Sequence, residues 1–118
     1  MNISLVVSNI AASNLSGLEH IAVKLTSTGI DVAGAADRII GTLLRGAAQG
    51  FAVDVYLANA NGLHYVTLGS NTAVSPGDEL EQIAGGKFQK KGTGTAVAVA
   101  WEASGANPSG GIIRAVIY

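Results

Sequence analysis

The 118-residue chain is long enough for one ordinary domain with its own core, and it has no cysteine, which excludes disulfides, thiolate metal sites and a thiol nucleophile. A formal net charge of -1 and an isoelectric point near 6.0 exclude a partner such as nucleic acid, whose phosphates call for clustered Lys and Arg. Charged residues make up only 13% of the chain, against roughly 25% in an average soluble domain, and mean hydropathy is +0.39.

The excess hydropathy comes from alanine and branched aliphatics, since aromatics are only 5%. The longest unbroken apolar run, Ala96 to Trp101, falls far short of the roughly 20 residues that span a bilayer, so no membrane partner is expected. The first residues lack a basic leader and a long apolar stretch. No signal peptide is expected, and the sequon-like Asn2-Ile3-Ser4 and Asn14-Leu15-Ser16 carry no meaning. A small domain with so few charges is expected to hide part of its surface against other protein.

Taken in chain order, period-2 alternation dominates and predicts an all-β fold, a small antiparallel barrel or sandwich with little helix. Ile3, Leu5 and Val7 share one face of a first apolar stretch. Residues 1–17 are read as an N-terminal arm or first strand, and 18–118 as a single β domain. In Glu19 to Leu25, the large residues Ile21, Val23 and Leu25 oppose His20, Ala22 and Lys24.

Residues 34–50 fit two readings. Ala36, Ile39, Ile40, Leu43, Leu44 and Ala47 suit a helix, but Gly41 and Gly46 lie inside it, each costing about 1 kcal/mol relative to Ala. The alternative is a strand from Arg38 to Leu44. From Phe51 to Ala58, the alternation places Phe51, Val53, Val55 and Leu57 inward. Asn61-Gly62 then predicts a tight hairpin with Leu63 to Leu68.

After the turn Pro76-Gly77-Asp78, Glu79 to Ile83 and Lys87 to Lys91 read as a polar strand pair joined by Ala84-Gly85-Gly86. Thr95 to Trp101 sets large residues against alanines, and the last strand runs from Ile112 to Tyr118, with no tail expected beyond it. The order strand, small-residue turn, strand occurs twice, at Ile39 to Tyr56 and at Ala96 to Ile117. This echo favours the strand reading of Arg38 to Leu44 but is too short to establish a duplication.

No catalytic, cofactor-binding or metal-ligating residue emerges, so no cofactor and no enzymatic activity are expected. His20 and His64 alternate with apolar neighbours and lack a carboxylate at triad or ligand spacing. Glu79 and Glu81 would share a strand face, where a solvated surface offset by Lys87, Lys90 and Lys91 outweighs an acid/base pair. Gly85-Gly86-Lys87-Phe88 lacks the hydroxyl residue and helix of a phosphate loop, and Gly92-Thr93-Gly94 lacks the strand-to-helix setting of a dinucleotide site. Trp101 shares a face with Val97 and Val99, which favours core or interface packing over sugar stacking.

The stretch from Ala36 to Leu43, Gly46-Ala47-Ala48-Gln49-Gly50 and Val53-Asp54-Val55 resembles the small capsid cement (decoration) proteins of tailed bacteriophages. Val74 to Leu80, Gly85 to Phe88 and Thr95 to Ser104 continue the likeness, which runs from about Ile30 to Tyr118. The resemblance implies a non-enzymatic virion protein, made in the host cytoplasm, that binds the major capsid protein on the outer surface of an assembled head as a homo-oligomer, a trimer. Contacts to coat or to other copies would then fall to Ile3, Leu5, Val7 and Trp101. The alternative is a carbohydrate-binding or fibre/adhesin-type β module of the virion.

Overall fold

A computed structural model describes residues 6–58 and 63–118, and they form an all-β protein of two five-stranded antiparallel sheets. The first holds β1 (Val6–Ile10), β2 (Ala22–Thr26), β3 (Gly29–Val32), β4 (Gly41–Arg45) and β5 (Ala52–Leu57), in the spatial order β1-β5-β4-β2-β3. The second holds β6 (His64–Thr67), β7 (Glu79–Ile83), β8 (Lys87–Lys90), β9 (Ala96–Ala100) and β10 (Ile112–Ile117), in the order β6-β10-β9-β7-β8.

Each sheet curls until its edges meet. A parallel bridge between Ala11 and Ile30 joins the β1 side of the first sheet to β3, and one between Leu68 and Phe88 joins the β6 side of the second to β8. Two small barrels result, each with its own apolar filling. Leu15, Ile21, Val23, Ile30, Leu43, Val53 and Val55 fill the first, while Val66, Leu68, Leu80, Phe88, Ile113 and Ile117 belong to the core of the second. Closure removes the open edges that would otherwise template aggregation.

The two strand orders are the same order, and the agreement extends to single hydrogen bonds. The Ala12 N–H donates to the Ile30 carbonyl at 2.7 Å, and the Gly69 N–H to that of Phe88 at 2.9 Å. The Gly50 N–H reaches the Ala11 carbonyl at 2.9 Å, as the Gly110 N–H reaches that of Leu68 at 2.7 Å. The register repeats too. Leu43 and Val7 both face Val55, and Ala100 and His64 both face Ala115.

Even an ion pair is repeated with its signs exchanged. Arg45 Nε lies 3.2 Å from Asp54 Oδ2, and at the corresponding positions Arg114 Nε lies 2.8 Å from Glu102 Oε2. The chain is therefore a tandem repeat of one five-stranded barrel, and the sequence echo had marked its fourth and fifth strands. A left-handed corner recurs as well, at His20 (φ 68) and Gly77 (φ 89), where the first repeat places a non-glycine residue in a region that favours glycine.

The contested segment is extended, with β4 at its centre. Gly41 belongs there because a Cβ would come within 2.2 Å of the Tyr56 backbone carbonyl on β5. The polar pair Glu79–Ile83 and Lys87–Lys90 forms the expected hairpin through a 3-10 turn over Ala84–Gly86.

The hairpin expected at Asn61-Gly62 does not form as read. That dipeptide lies outside the described residues, but its flanking strands fall in different sheets. Both edges of β5 are taken, by β1 and β4, while β6 pairs with β10. Phe51 is exposed rather than inward, because it precedes β5 in a turn where its N–H donates to the Ala48 carbonyl. Leu25, expected on the inner face with Val23, is also exposed.

The close approach at Gly41 generates a direct test. Gly41→Ala forces the β5 backbone to move and is expected to lower unfolding stability by about 2 kcal/mol, the middle of the range for overpacked interiors. The shift of the urea midpoint measures it, and an unchanged midpoint would contradict this packing.

Candidate interaction surface

The second barrel presents an unusual outward face. Along β9 the small residues Ala98 and Ala100 point in and are buried, while Val97 and Val99 are half-buried and Trp101 is 56% exposed. Of the two packings read for this face, core or interface, Trp101 is left on the surface, while Val97 packs against the core cluster. Phe88, Leu68, Leu80 and Ile113 already fill the narrow interior, and only methyl groups fit beneath β9.

On β10, Ile113, Ala115 and Ile117 turn inward, leaving Ile112 (47% exposed), Arg114 and Val116 outside. Register lines these up in rows. Arg114 lies opposite Tyr65 (51% exposed) on β6, and the Trp101 N–H donates to the Arg114 carbonyl at 3.0 Å. Val116 lies opposite Val99, and Val99 opposite Glu79. The result is an aromatic and aliphatic face with one Arg114–Glu102 pair across it, rich in the Trp, Tyr and Arg that dominate binding at protein interfaces.

Of the other contact residues read from sequence, Val7 is half-buried and packs against the core of the first barrel, opposite Val55. Ile3 and Leu5 lie outside the described residues. Residues Val6–Ile10, within the segment read as arm or first strand, pair with β5 along their whole length. Tyr65 and Ile112 were missed in sequence. Register sets Tyr65 across β10 from Trp101, with Arg114 between them and Ile112 two residues before it on the same strand.

The titratable groups are tied into structure. His64 is buried between the barrels, with Nδ1 2.8 Å from Thr42 Oγ1 and its ring centroid 4.3 Å from that of Tyr56. Burial pushes its imidazole below the ordinary histidine value of 6.5. The Leu57 backbone counters part of that effect without reaching hydrogen-bonding geometry at Nε2. His20 lies against Tyr65, the ring centroids 5.3 Å apart and the planes tilted by 51°.

Glu79 and Glu81 alternate along β7, whose pairing with β8 is regular, and the register shift against β9 puts the extra residue, Val97, on β9. Glu81 is buried and accepts from Gln89 Nε2 at 2.5 Å. That bond, followed by the backbone N–H groups of Gly92 and Gly94 and by Lys91, holds its carboxyl below the usual glutamate value. Of the lysines expected to offset the pair, Lys91 acts on Glu81, while Lys90 lies 3.7 Å from Asp78.

A cavity of about 520 Å³ opens at the junction of the barrels, between Ile39, Ala58, Val97 and Tyr118. Asp37 and Gln82 in its wall are engaged. Asp37 pairs with Lys24 at 2.9 Å and accepts the Gly34 N–H, which lowers its carboxyl, and Gln82 Nε2 donates to the Gly34 and Asp37 carbonyls. Among the described residues, no three His, Asp or Glu side chains converge on a metal position.

No protein-family model matches the chain, and no curated protein matches it. Among solved structures it is similar to the head fiber gp8.5 N base of bacteriophage phi29, with a TM-score of 0.70 at 19% sequence identity. That likeness covers 96% of this chain and 92% of the other, so the two share the whole fold.

The buried His64 sets a pH dependence. Its folded value is depressed, so its contribution to stability is full above the unfolded value of 6.5 and is lost as the pH falls through the lower folded value. The Tm is expected to drop on going from about pH 8 to about pH 5, with His64→Leu flattening the part of that drop that begins near the histidine range. An identical pH profile in the variant would contradict the assignment.

Proposed function

We propose that this chain is a non-enzymatic structural protein of a tailed-phage virion, a β module seated on the outer surface of the assembled head. The observation that carries this reading is the whole-chain fold likeness to a phage head fiber base. The chemistry agrees with it, since the conspicuous feature of the surface is an aromatic patch with little net charge. In this reading the major capsid protein is the partner, and Tyr65, Trp101 and Ile112 supply the contact. Affinity comes from many modest contacts multiplied by an oligomer, a trimer, engaging several coat subunits at once.

Within that class the chain acts as a cement protein that clamps the expanded shell. A second reading, the seat of a head fibre, is favoured by the similar structure being a head fiber base. Both place the same face against the shell.

Pelleting with expanded shells, unexpanded shells and free coat subunits tests the reading. Saturable binding to expanded shells is expected, with Trp101→Ala and Tyr65→Ala each weakening it about tenfold, as for moderate hot-spot residues. Equal binding to free subunits, or none to any shell, would sink it.

A further inference from the structure

The two barrels of the chain are not packed face to face. The first presents the outside of β2, β4 and β5, with its His20 corner, to one side of the second. Thr42 and Tyr56 meet His64, the His20 carbonyl accepts from Thr67 Oγ1 at 3.0 Å, and the Gly34 and Asp37 carbonyls accept from Gln82. Ala22 and Ala58 pack against the second core. The junction is heterologous, using one surface of the repeat as donor and a different surface as receiver.

Because the barrels are repeats, each surface has a counterpart that this junction leaves unused. The register that aligns Leu43 with Ala100 and Val55 with Ala115 turns Thr42 and Tyr56 into Val99 and Val116, His20 into Gly77, and Ala58 into Tyr118. That is the donor surface of the second barrel, where Val99 is half-buried, Val116 is exposed, and Tyr118 is 68% exposed at the wall of the junction cavity. On the receiving side, Thr67 and Gln82 correspond to Ile10 and Leu25 of the first barrel. These are 50% and 58% exposed, apolar where their counterparts are polar and covered.

We propose that copies of this chain associate head to tail, the second barrel of one copy seated on the first barrel of the next through a repetition of the intrachain junction. The occupant is a second copy because the uncovered donor and receiver surfaces are counterparts of two surfaces that already fit each other. Such an interface propagates from copy to copy and closes into a ring when the rotation per step allows. It uses the Val99–Val116–Tyr118 end of the outward face and leaves the Tyr65–Arg114–Trp101 row free. It does not depend on any shell.

Two variants test it by sedimentation of the full chain. Val116→Asp damages only the donor, and Ile10→Asp with Leu25→Asp damages only the receiver. Wild type is expected to sediment well above its 11.8 kDa, and each variant alone as a monomer. An equimolar mixture should give a one-to-one dimer and nothing larger, because each variant retains one intact surface.

A mixture that stays monomeric, a donor variant that still self-associates, or a wild type that remains monomeric at the highest attainable concentration would overturn the proposal. Circular dichroism and thermal melts verify folding. Should the aspartates prevent it, Val116→Ser against Ile10→Ser with Leu25→Ser repeats the comparison with the same two outcomes.

Discussion

The closure of each five-stranded sheet on itself governs the rest of this molecule. One parallel bridge per barrel, Ala11 to Ile30 and Leu68 to Phe88, brings the edges together. Closing so few strands leaves an interior that a handful of side chains fills. Once Phe88, Leu68, Leu80 and Ile113 occupy the second barrel, the strand Ala96–Ala100 turns Ala98 and Ala100 inward and leaves Val99 only half-buried. The outward position of Trp101 follows from that volume limit. An apolar surface patch is thus a consequence of core packing before it is a feature of binding.

The repetition of the barrel adds a second constraint. Equivalent positions share backbone geometry but have diverged in chemistry according to what covers them. Thr67 and Gln82 reach carbonyls of the first barrel, while Ile10 and Leu25 at the matching places carry aliphatic side chains outside. His64 occupies the place that Val7 takes in the first repeat, and there it meets Thr42 and Tyr56 across the junction. Its burial ties the fit of the two barrels to its neutral form. The Arg45–Asp54 and Arg114–Glu102 pairs hold the same place with opposite polarity, so the repeat keeps the interaction while exchanging the residues that make it.

Much of the fold was legible in sequence because strand alternation is a local property. The Glu79–Ile83 and Lys87–Lys90 hairpin and the inward Val53 and Val55 follow from neighbours along the chain, whereas the Gly41 segment fitted both helix and strand locally and was tipped to strand by its echo in Ala96 to Ile117. What failed depended on distant partners. Asn61-Gly62 has the composition of a hairpin turn, but β1 and β4 already occupy both sides of β5, and no local pattern contains that fact. The direction of β9 was equally hidden, since Val and Ala are both apolar and only the filling of the barrel decides between them. Trp101 was singled out in sequence because it shares a strand face with Val97 and Val99. Tyr65 and Ile112 become its neighbours only through the pairing of β6, β10 and β9.

In the proposed reading one face carries two tasks, contact with a shell at the Trp101 row and contact between copies at the Val116 end. The central claim, that the chain is an open repeat whose junction continues from copy to copy, is tested most directly by cross-linking. The chain has no cysteine, so introduced thiols report cleanly. The counterparts of Thr67 and of Glu19, the residue beside His20, are Ile10 and Pro76, both exposed. A short bis-maleimide should join Ile10→Cys of one copy to Pro76→Cys of another in a mixture of the two single variants, giving a dimer, while neither variant alone is joined. Dimers formed by either variant alone, or no product from the mixture, would contradict a head-to-tail junction.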